Sequence, residues 1–187
     1  MSTPAPAVVV EHRGAASWAR IARPDRGNAC GSDVMEGLEH WLDDATADPA
    51  TRALVLTGTG SSFCAGMDMK EGAALLGDAG AMEAYIRRGR DLVRRFAAAP
   101  LPTIAAVNGS AFAGGFELVL AADFAVAARS ASLGDRHVIH GVVPGWGSTA
   151  RLPRIVGHRA ATRLLLTGET LTADEMLVPL LVGVAGG

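Results

Sequence analysis

Two glycine-rich segments of this sequence carry the residue types that could hold a reactive carbonyl group. They span residues 62–70 and 108–118, and each follows a short apolar run that is typical of a buried strand. Glycine lets a backbone approach a ligand closely, and the start of a helix presents unpaired N–H groups with a partial positive charge. Two such helix starts that face one point would form an oxyanion hole, where one donor is typically worth about 100- to 1000-fold in rate. Glycines alone are more often turn and packing residues, so the segments need support from the rest of the sequence.

Glu117 lies in the second glycine-rich segment and is a candidate acid or base. A carboxyl group in a desolvated site can have a raised pKa and can transfer a proton. The alternative is a structural glutamate that the helix dipole favours in the first turn of a helix. The five histidines have no spacing that is typical of a metal site, so no metal is expected.

The elements that must position these segments alternate between strands and helices. The strands are predicted at residues 8–10, 16–21, 53–57, 103–107 and 124–127. The helices are predicted at about 33–45, 81–99, 115 onward and 161–166, with capping boxes at Asp33 with Glu36 and at Thr172 with Glu175. This alternation predicts an α/β fold with parallel strands and crossover helices. No linker-like composition divides the sequence, so residues 1–187 are predicted to form one domain.

The composition excludes several functional classes. Apolar residues make up 49% of the 187 residues, which predicts a folded core. The 17 basic and 19 acidic residues give a net charge of −2, whereas a nucleic-acid-binding protein usually has a basic excess. There are two cysteines, no stretch typical of a signal peptide, and no apolar run of membrane-spanning length. We therefore expect a cytoplasmic protein that binds neither nucleic acid nor membrane.

Other motifs are weaker. Gly58-Thr59-Gly60 follows a predicted strand as a dinucleotide fingerprint does, but the third glycine is misplaced. A lysine-containing phosphate loop and the Gly-x-Ser-x-Gly turn of esterases are both absent from the sequence.

Five ordered blocks resemble the enoyl-CoA hydratase/isomerase (crotonase) superfamily. In order, the blocks are Arg23-Pro24 with Asn28-Ala29, residues 53–58 with 63–70, residues 105–109 with 114–118, residues 141–145, and residues 166–169. Their order and spacing fit the family over almost the whole chain, which makes the resemblance far more specific than a lone glycine motif. It implies a crotonase-like spiral of repeated ββα units.

The resemblance also implies roles for individual residues. The backbone N–H groups of Met67 and Gly114 would form the oxyanion hole for a thioester enolate, and Glu117 matches the first catalytic carboxylate of the family. The residues implied to contact coenzyme A are Ala65, Asp68, Met69, Lys70 and Arg26. Lys70 could meet a phosphate as a point charge, although a solvated surface lysine is an equal alternative, and surface exposure is the favoured role of Arg26. No separate cofactor is implied, because coenzyme A enters with the acyl-CoA substrate, and the expected assembly is a homotrimer or hexamer.

The sequence departs from the family pattern at the second catalytic glutamate. Counting back from Gly141 places His137 at that position. Histidine can hold a water or move a proton near neutral pH, but it cannot reproduce the charge of a carboxylate pair. Asp135 and His140 are further candidates, although a lone aspartate or histidine in a loop is more often structural or solvated.

The second departure is the length. The family continues beyond a strand that resembles Leu181-Val182 into a C-terminal helical region, whereas this sequence reaches only Gly187. The predicted fold therefore lacks most of that region, which in the family covers the acyl site.

These observations predict an enzyme that acts on acyl-CoA, with enoyl-CoA hydratase as the first hypothesis. An isomerase that uses Glu117 alone is the second, and a non-catalytic acyl-CoA-binding protein or subunit is the third. Substrate chain length is not encoded in any motif found here.

Overall fold

The computed structural model describes residues 5–177 and 183–185. The strands are β1 (Val8–Arg13), β2 (Ala16–Ile21), β3 (Ala53–Gly58), β4 (Ser62–Cys64), β5 (Thr103–Val107), β6 (Ser110–Phe112), β7 (Phe124–Ala128), β8 (Ser132–Gly134), β9 (Leu171–Thr172) and β10 (Gly183–Ala185). The α-helices are α1 (Ser32–Ala47), α2 (Met69–Ala74), α3 (Ala79–Ala97), α4 (Gly114–Ala121), α5 (Ser148–Val156), α6 (His158–Thr167) and α7 (Ala173–Met176). Two short 3-10 helices span Pro24–Arg26 and His137–His140.

The strands form two sheets that the chain visits in turn. The larger sheet has the order β1-β2-β3-β5-β7-β10 and the smaller one β4-β6-β8-β9. Strands β2, β3, β5, β7 and β10 are parallel, and β1 joins them through an antiparallel hairpin with β2. Each of β3, β5 and β7 is followed by a short strand of the smaller sheet, namely β4, β6 and β8. This stepwise repeat is the predicted crotonase-like spiral, which is confirmed.

Helices α1 and α3 close one side of the core with their predicted apolar faces. Trp41 of α1 and Phe96 of α3 are both buried, and their ring centroids are 6.1 Å apart. The indole N–H of Trp41 donates to the hydroxyl of Ser17 in β2, which satisfies a polar group in the core. The 3.6-residue periodicity in these two helices was therefore a reliable guide to burial.

The glycine-rich segments are more ordered than their composition indicates. Three-residue strands β4 and β6 lie inside them, and the sequence patterns predicted neither these strands nor the helices α2 and α5. Strands of three residues are too short to have a detectable period. Predicted strand residues 181–182 lie outside the described residues.

The start of α1 corrects the predicted capping box at Asp33 and Glu36. The helix begins at Ser32, and the backbone N–H and hydroxyl of Ser32 both donate to the Glu71 carboxylate of α2. A side chain from another element thus replaces the local cap. The second predicted capping box, Thr172 with Glu175, is confirmed.

None of the helices in the described part of the chain has the length and apolar character needed to cross a membrane.

Candidate active site

The two glycine-rich segments meet where β4 leads into α2 and β6 leads into α4. Gly66 has a φ of +103°, and a Cβ atom built on it would lie 3.1 Å from the Gly114 nitrogen. A Cβ atom on Gly115 would lie 2.0 Å from the carbonyl oxygen of Cys64. Real Cβ atoms do not approach a backbone oxygen as closely as 2.0 Å, so Gly115 must be glycine for the segments to meet. At Gly66 the positive φ, which residues with a side chain rarely adopt, and the tight 3.1 Å contact both favour glycine.

Two backbone N–H groups near this contact are not used in the helices or strands. Gly114 is the first residue of α4, where an N–H group has no acceptor within the helix. Met67 follows Gly66, and the N–H groups on either side of it are engaged, that of Gly66 by Cys64 Sγ and that of Asp68 by the Cys30 carbonyl. Within the described residues, the N–H groups of Met67 and Gly114 donate to no acceptor.

Ala113 gives the chain an unusual turn just before α4. Its φ of +48° and ψ of −119° are sparsely populated by residues with a side chain. Its backbone N–H donates to the Gly134 carbonyl at 3.1 Å, which ties the turn to β8. Such a backbone conformation persists only where the surrounding structure enforces it, and it is common at ligand-binding sites.

Asp68 orders the first segment from inside. Its Oδ1 accepts the backbone N–H groups of Lys70 and Glu71, which caps α2, and its Oδ2 accepts from Arg23 at 2.9 Å and from Arg26 at 3.4 Å. Burial acts to raise the pKa of Asp68, but the two N–H groups and Arg23 outweigh burial and lower the pKa. The carboxylate is therefore held charged, and its contacts are internal.

Four predicted coenzyme A contacts form an exposed rim around this loop. The rim consists of Arg26, Ala65, Met69 and Lys70, and all four are exposed. Arg26 contacts the Asp68 carboxylate through its guanidinium, and Lys70 contacts the same carboxylate through its backbone N–H. The two residues that carry these cationic side chains are therefore close to each other. Contact of the rim and of Asp68 with coenzyme A stays a prediction.

Glu117 lies in the first turn of α4 and is almost completely buried. Its Oε1 accepts the backbone N–H groups of Trp146 at 2.8 Å and Ser148 at 2.9 Å. Burial raises the pKa of Glu117, while the N–H groups of Ser148 and Trp146 and the charge of His137 act in the opposite direction without cancelling it. The carboxyl group can therefore exchange a proton closer to neutral pH than an ordinary glutamate.

His137 connects two carboxylates. Its Nε2 is 3.6 Å from Oε2 of Glu117, and its Nδ1 is 2.9 Å from Oδ1 of Asp135. Burial acts to lower the pKa of His137, but the hydrogen bond and charge of Asp135 and the charge of Glu117 outweigh burial and raise it. We name Glu117, His137 and Asp135 the acid–base cluster.

Trp146 links the acid–base cluster to Gly114. A Cβ atom on Gly114 would lie 2.3 Å from Cζ3 of Trp146, and one on Gly89 of α3 would lie 2.3 Å from its Cε2. The indole ring of Trp146 thus fills the space between α3 and α4. The backbone N–H of Trp146 donates to Oε1 of Glu117.

The structure brings Glu117 and His137 together, as well as the segments that carry Met67 and Gly114. Sequence reasoning missed Trp146 and Ser148, and it favoured a structural or solvated role for Asp135. The signals available were the Gly145-Trp146-Gly147 turn after the fourth motif block and the two-residue spacing of Asp135 and His137.

The arrangement places two backbone N–H groups without an internal acceptor on the two glycine-rich segments, and the second segment also carries the carboxyl group of a largely buried carboxyl–imidazole contact. Such a combination suits reactions that pass through an enolate or another oxyanion.

Comparisons with known proteins indicate one family. Residues 14–183 match the family model described as enoyl-CoA hydratase/isomerase. The sequence is 40% identical over 158 residues to crotonyl-CoA hydratase from Syntrophomonas wolfei, covering 83% of this chain and 59% of that protein. It is 34% identical over 171 residues to a short-chain-enoyl-CoA hydratase from Clostridium acetobutylicum, covering 91% and 65% respectively.

Comparison of the structure with solved structures finds proteins of the same family. The crystal structure of an enoyl-CoA hydratase from Bacillus anthracis superposes with a TM-score of 0.92 at 33% identity, covering 96% of this chain and 70% of that one. The chain spans about three fifths of the length of the curated relatives it matches. This agrees with the predicted fold, which lacks most of the C-terminal helical region.

Proposed function

The chain belongs to the enoyl-CoA hydratase/isomerase family, and from this premise we propose that it binds an acyl-CoA thioester and adds water to a 2-enoyl-CoA. The observation that carries the proposal is the contact between Glu117, on the helix that begins at Gly114, and His137, at the start of the second 3-10 helix. Oε2 of Glu117 and Nε2 of His137 are 3.6 Å apart, and both side chains are largely buried.

The N–H groups of Met67 and Gly114 are assigned to the thioester oxygen. In the reaction, electrons from the attacked double bond move onto this oxygen as an enolate forms. Hydrogen bonds to the oxygen strengthen as its charge grows, so they stabilise the transition state more than the substrate. Methionine at position 67 is compatible with this role because only its backbone is used.

The acid–base cluster is assigned to the water and the transferred protons. A water oxygen about 2.8 Å from both Glu117 Oε2 and His137 Nε2 forms a triangle whose base is their 3.6 Å separation. Glu117 takes a proton from the water as the water oxygen bonds to C3. Protonated His137 gives its Nε2 proton to C2 of the enolate, and the proton on Glu117 then passes to His137. Atoms and charges balance, because one water has been added and both residues have returned to their starting states.

The rim is assigned to the phosphates of coenzyme A. Arg26 and Lys70 are exposed cations beside the oxyanion loop, which is where the polar part of a bound thioester would leave the buried site. Lysine binds phosphate as a point charge. The predicted homotrimer or hexamer stays a prediction.

Turnover of crotonyl-CoA tests the proposal through the loss of absorbance of its conjugated double bond. The variant Glu117→Gln preserves the shape of the side chain but cannot take a proton. We expect turnover to fall by about 100- to 10,000-fold, the usual contribution of an acid–base group. Glu36→Gln on the exposed face of α1 is the matched control and should leave turnover unchanged. Binding of crotonyl-CoA by the wild-type protein without any turnover would instead support the non-catalytic acyl-CoA-binding alternative.

Double-bond migration is the second candidate function. Two backbone N–H groups occupy Glu117 Oε1, so a single oxygen, Oε2, is left to face a substrate. An isomerase needs to move only one proton between C2 and C4, and one carboxylate oxygen is sufficient for that. A 3-enoyl-CoA that isomerises equally well with wild-type protein and with His137→Asn would favour this function over hydration.

A further inference from the structure

Among the described residues, the hydrogen bonds of the Asp135 carboxylate are made with His137. Its carboxylate is 99% buried, and Oδ1 contacts the Nδ1 of His137 at 2.9 Å and accepts its backbone N–H at 3.4 Å. We propose that Asp135 is a positioning residue that fixes the proton of His137 on Nδ1 and keeps Nε2 directed at Glu117 Oε2. The catalytic consequence rests on the proposed function, whereas the position of the proton does not.

The identity of the protonated nitrogen follows from hydrogen-bond chemistry. An ionised carboxylate can only accept hydrogen bonds, so the imidazole nitrogen that faces Asp135 must carry a proton. Nε2 then carries a second proton when the ring is an imidazolium and a lone pair when the ring is neutral. In both forms Nε2 faces Glu117, so it can give a proton to the site or take one from it.

The burial of Asp135 favours the imidazolium. A buried carboxylate is costly unless a nearby positive charge and hydrogen bonds compensate it. Oδ2 of Asp135 has no hydrogen-bond partner among the described residues. The group that can supply a positive charge next to Asp135 is the ring of His137, which also lies next to the Glu117 carboxylate.

The surrounding charges leave this assignment intact. Arg136 places its guanidinium over the ring of Phe112, at 4.6 Å from the centroid. Arg151 of α5 donates to the Trp146 carbonyl, and its charge interacts with that of Glu117. On the side of α6, Arg163 pairs with Glu169. Asp135 and Glu117 are thus the charged groups that act directly on His137 in the described part of the chain.

The cluster then holds one mobile proton between Glu117 and Nε2 of His137. When the proton is on Nε2, Glu117 is a carboxylate that can accept a proton from water, and His137 is an imidazolium that can donate one. When the proton is on Glu117, both the carboxyl group and the imidazole ring are neutral, and neither can start the hydration as proposed. Asp135 shifts the pair toward the first form because its negative charge stabilises the imidazolium.

The nitrogen-15 NMR spectrum of the His137 ring tests the inference directly, with the signal assigned by its loss in His137→Asn. In wild-type protein we expect the neutral ring to carry its proton on Nδ1 and the pKa of His137 to lie above that of an ordinary histidine. In Asp135→Asn, the pKa should fall, and the alkaline limb of the rate–pH profile should move to lower pH. A wild-type ring protonated on Nε2 when neutral, or an unchanged pKa in the variant, overturns the inference. The wild-type measurement decides the question even if the variant does not fold.

Turnover gives a second readout that separates positioning from simple stabilisation. Asp135→Asn should lower turnover by about 100-fold, but in the His137→Asn background the same change should have almost no further effect. A large additional loss in the double variant would overturn the inference, because Asp135 would then act by another route. The control is Asp123→Asn. Asp123 is exposed, and its carboxylate accepts the backbone N–H of Thr103. Wild-type protein without hydratase activity would contradict the proposed function, whereas the NMR result would still decide the role of Asp135.

Discussion

The acid–base cluster and the rim both carry charge, but they hold it in different surroundings. In the cluster, Glu117, His137 and Asp135 are mostly buried, so their charges interact through a medium of low dielectric constant and shift the pKa values of Glu117 and His137. At the rim, Lys70 and Arg26 are in water, where salt screens their charges over about 8–10 Å. We therefore expect the cluster to respond to pH and to single-atom changes in packing, and the rim to respond to ionic strength.

The largest loss of turnover should come from adding one methyl group where the two glycine-rich segments meet. In Gly115→Ala, the new Cβ would lie 2.0 Å from the Cys64 carbonyl oxygen, which belongs to a strand and cannot move alone. The two glycine-rich segments would be forced apart, and we expect loss of more than about 100-fold in turnover, as for removal of an oxyanion donor. Gly77→Ala, where no atom lies within 4 Å of the new Cβ, should have wild-type turnover. Equal activity of the two variants would show that the close approach of the segments is not needed.

The pH dependence of turnover should report the cluster alone. Glu117 must be ionised to accept a proton, so the rate should fall as pH decreases through its pKa, which burial raises above 4.5. His137 must be protonated to donate, so the rate should fall as pH increases through its pKa, which the neighbouring carboxylates raise above 6.5 against the effect of burial. Each limb should approach a tenfold change per pH unit. A rate that is flat between pH 4 and pH 10 would mean that neither residue exchanges the critical proton.

The stability of Glu117→Gln should distinguish a catalytic glutamate from a structural one. The pKa of Glu117 is higher in the folded protein than in the unfolded chain, so ionisation favours the unfolded chain as pH rises from the unfolded to the folded pKa. Below the unfolded value, wild type and variant should have similar free energies of unfolding. Above it, the wild type should lose about 1.4 kcal/mol relative to the variant for each unit of pKa difference. Denaturant unfolding at low and neutral pH measures the change, and a variant less stable than wild type at neutral pH would indicate a structural role.

The parts of the site that were predictable lie within single segments. Glu117 and Gly114 are three residues apart in one motif block, so their common position in the first turn of a helix was predictable, although their roles were implied only by the resemblance. The capping box of Thr172 and Glu175 spans one turn, so a short-range pattern was enough to predict it. Periodicity likewise identified α1 and α3. These features depend on geometry that a few consecutive residues determine.

The parts that were missed depend on packing between distant segments. The amides of Trp146 and Ser148 reach Glu117 across 29 and 31 residues of sequence, and no local pattern specifies which N–H groups will meet a carboxylate. The cap of α1 failed for the same reason, because Glu71 comes from another helix and displaces the local candidate. Burial is a property of the folded arrangement, so the contact between the buried carboxylate of Asp135 and His137 also emerged only with the structure.

The smallest expected effect belongs to Lys70 at the rim. Removing an exposed cation in Lys70→Ala should raise the KM for a CoA ester by about two- to fivefold at low salt, in line with the strength of exposed ion pairs. The difference should vanish at about 1 M salt, where the screening length is about 3 Å. Arg129→Ala, which removes an exposed cation paired with Asp174, should leave KM unchanged at any salt concentration.

Lys70 is also the single lysine of the sequence, so an amine-directed reagent can modify only its side chain and the chain terminus. If the rim holds the phosphates of coenzyme A, bound CoA ester should slow modification of Lys70 at low salt and lose that protection as salt is added. Modification of Lys70 without ligand, at the same salt concentrations, serves as the control. Protection that persists in high salt would place Lys70 in a desolvated contact, and the division between a pH-sensitive cluster and a salt-sensitive rim would then fail at this residue.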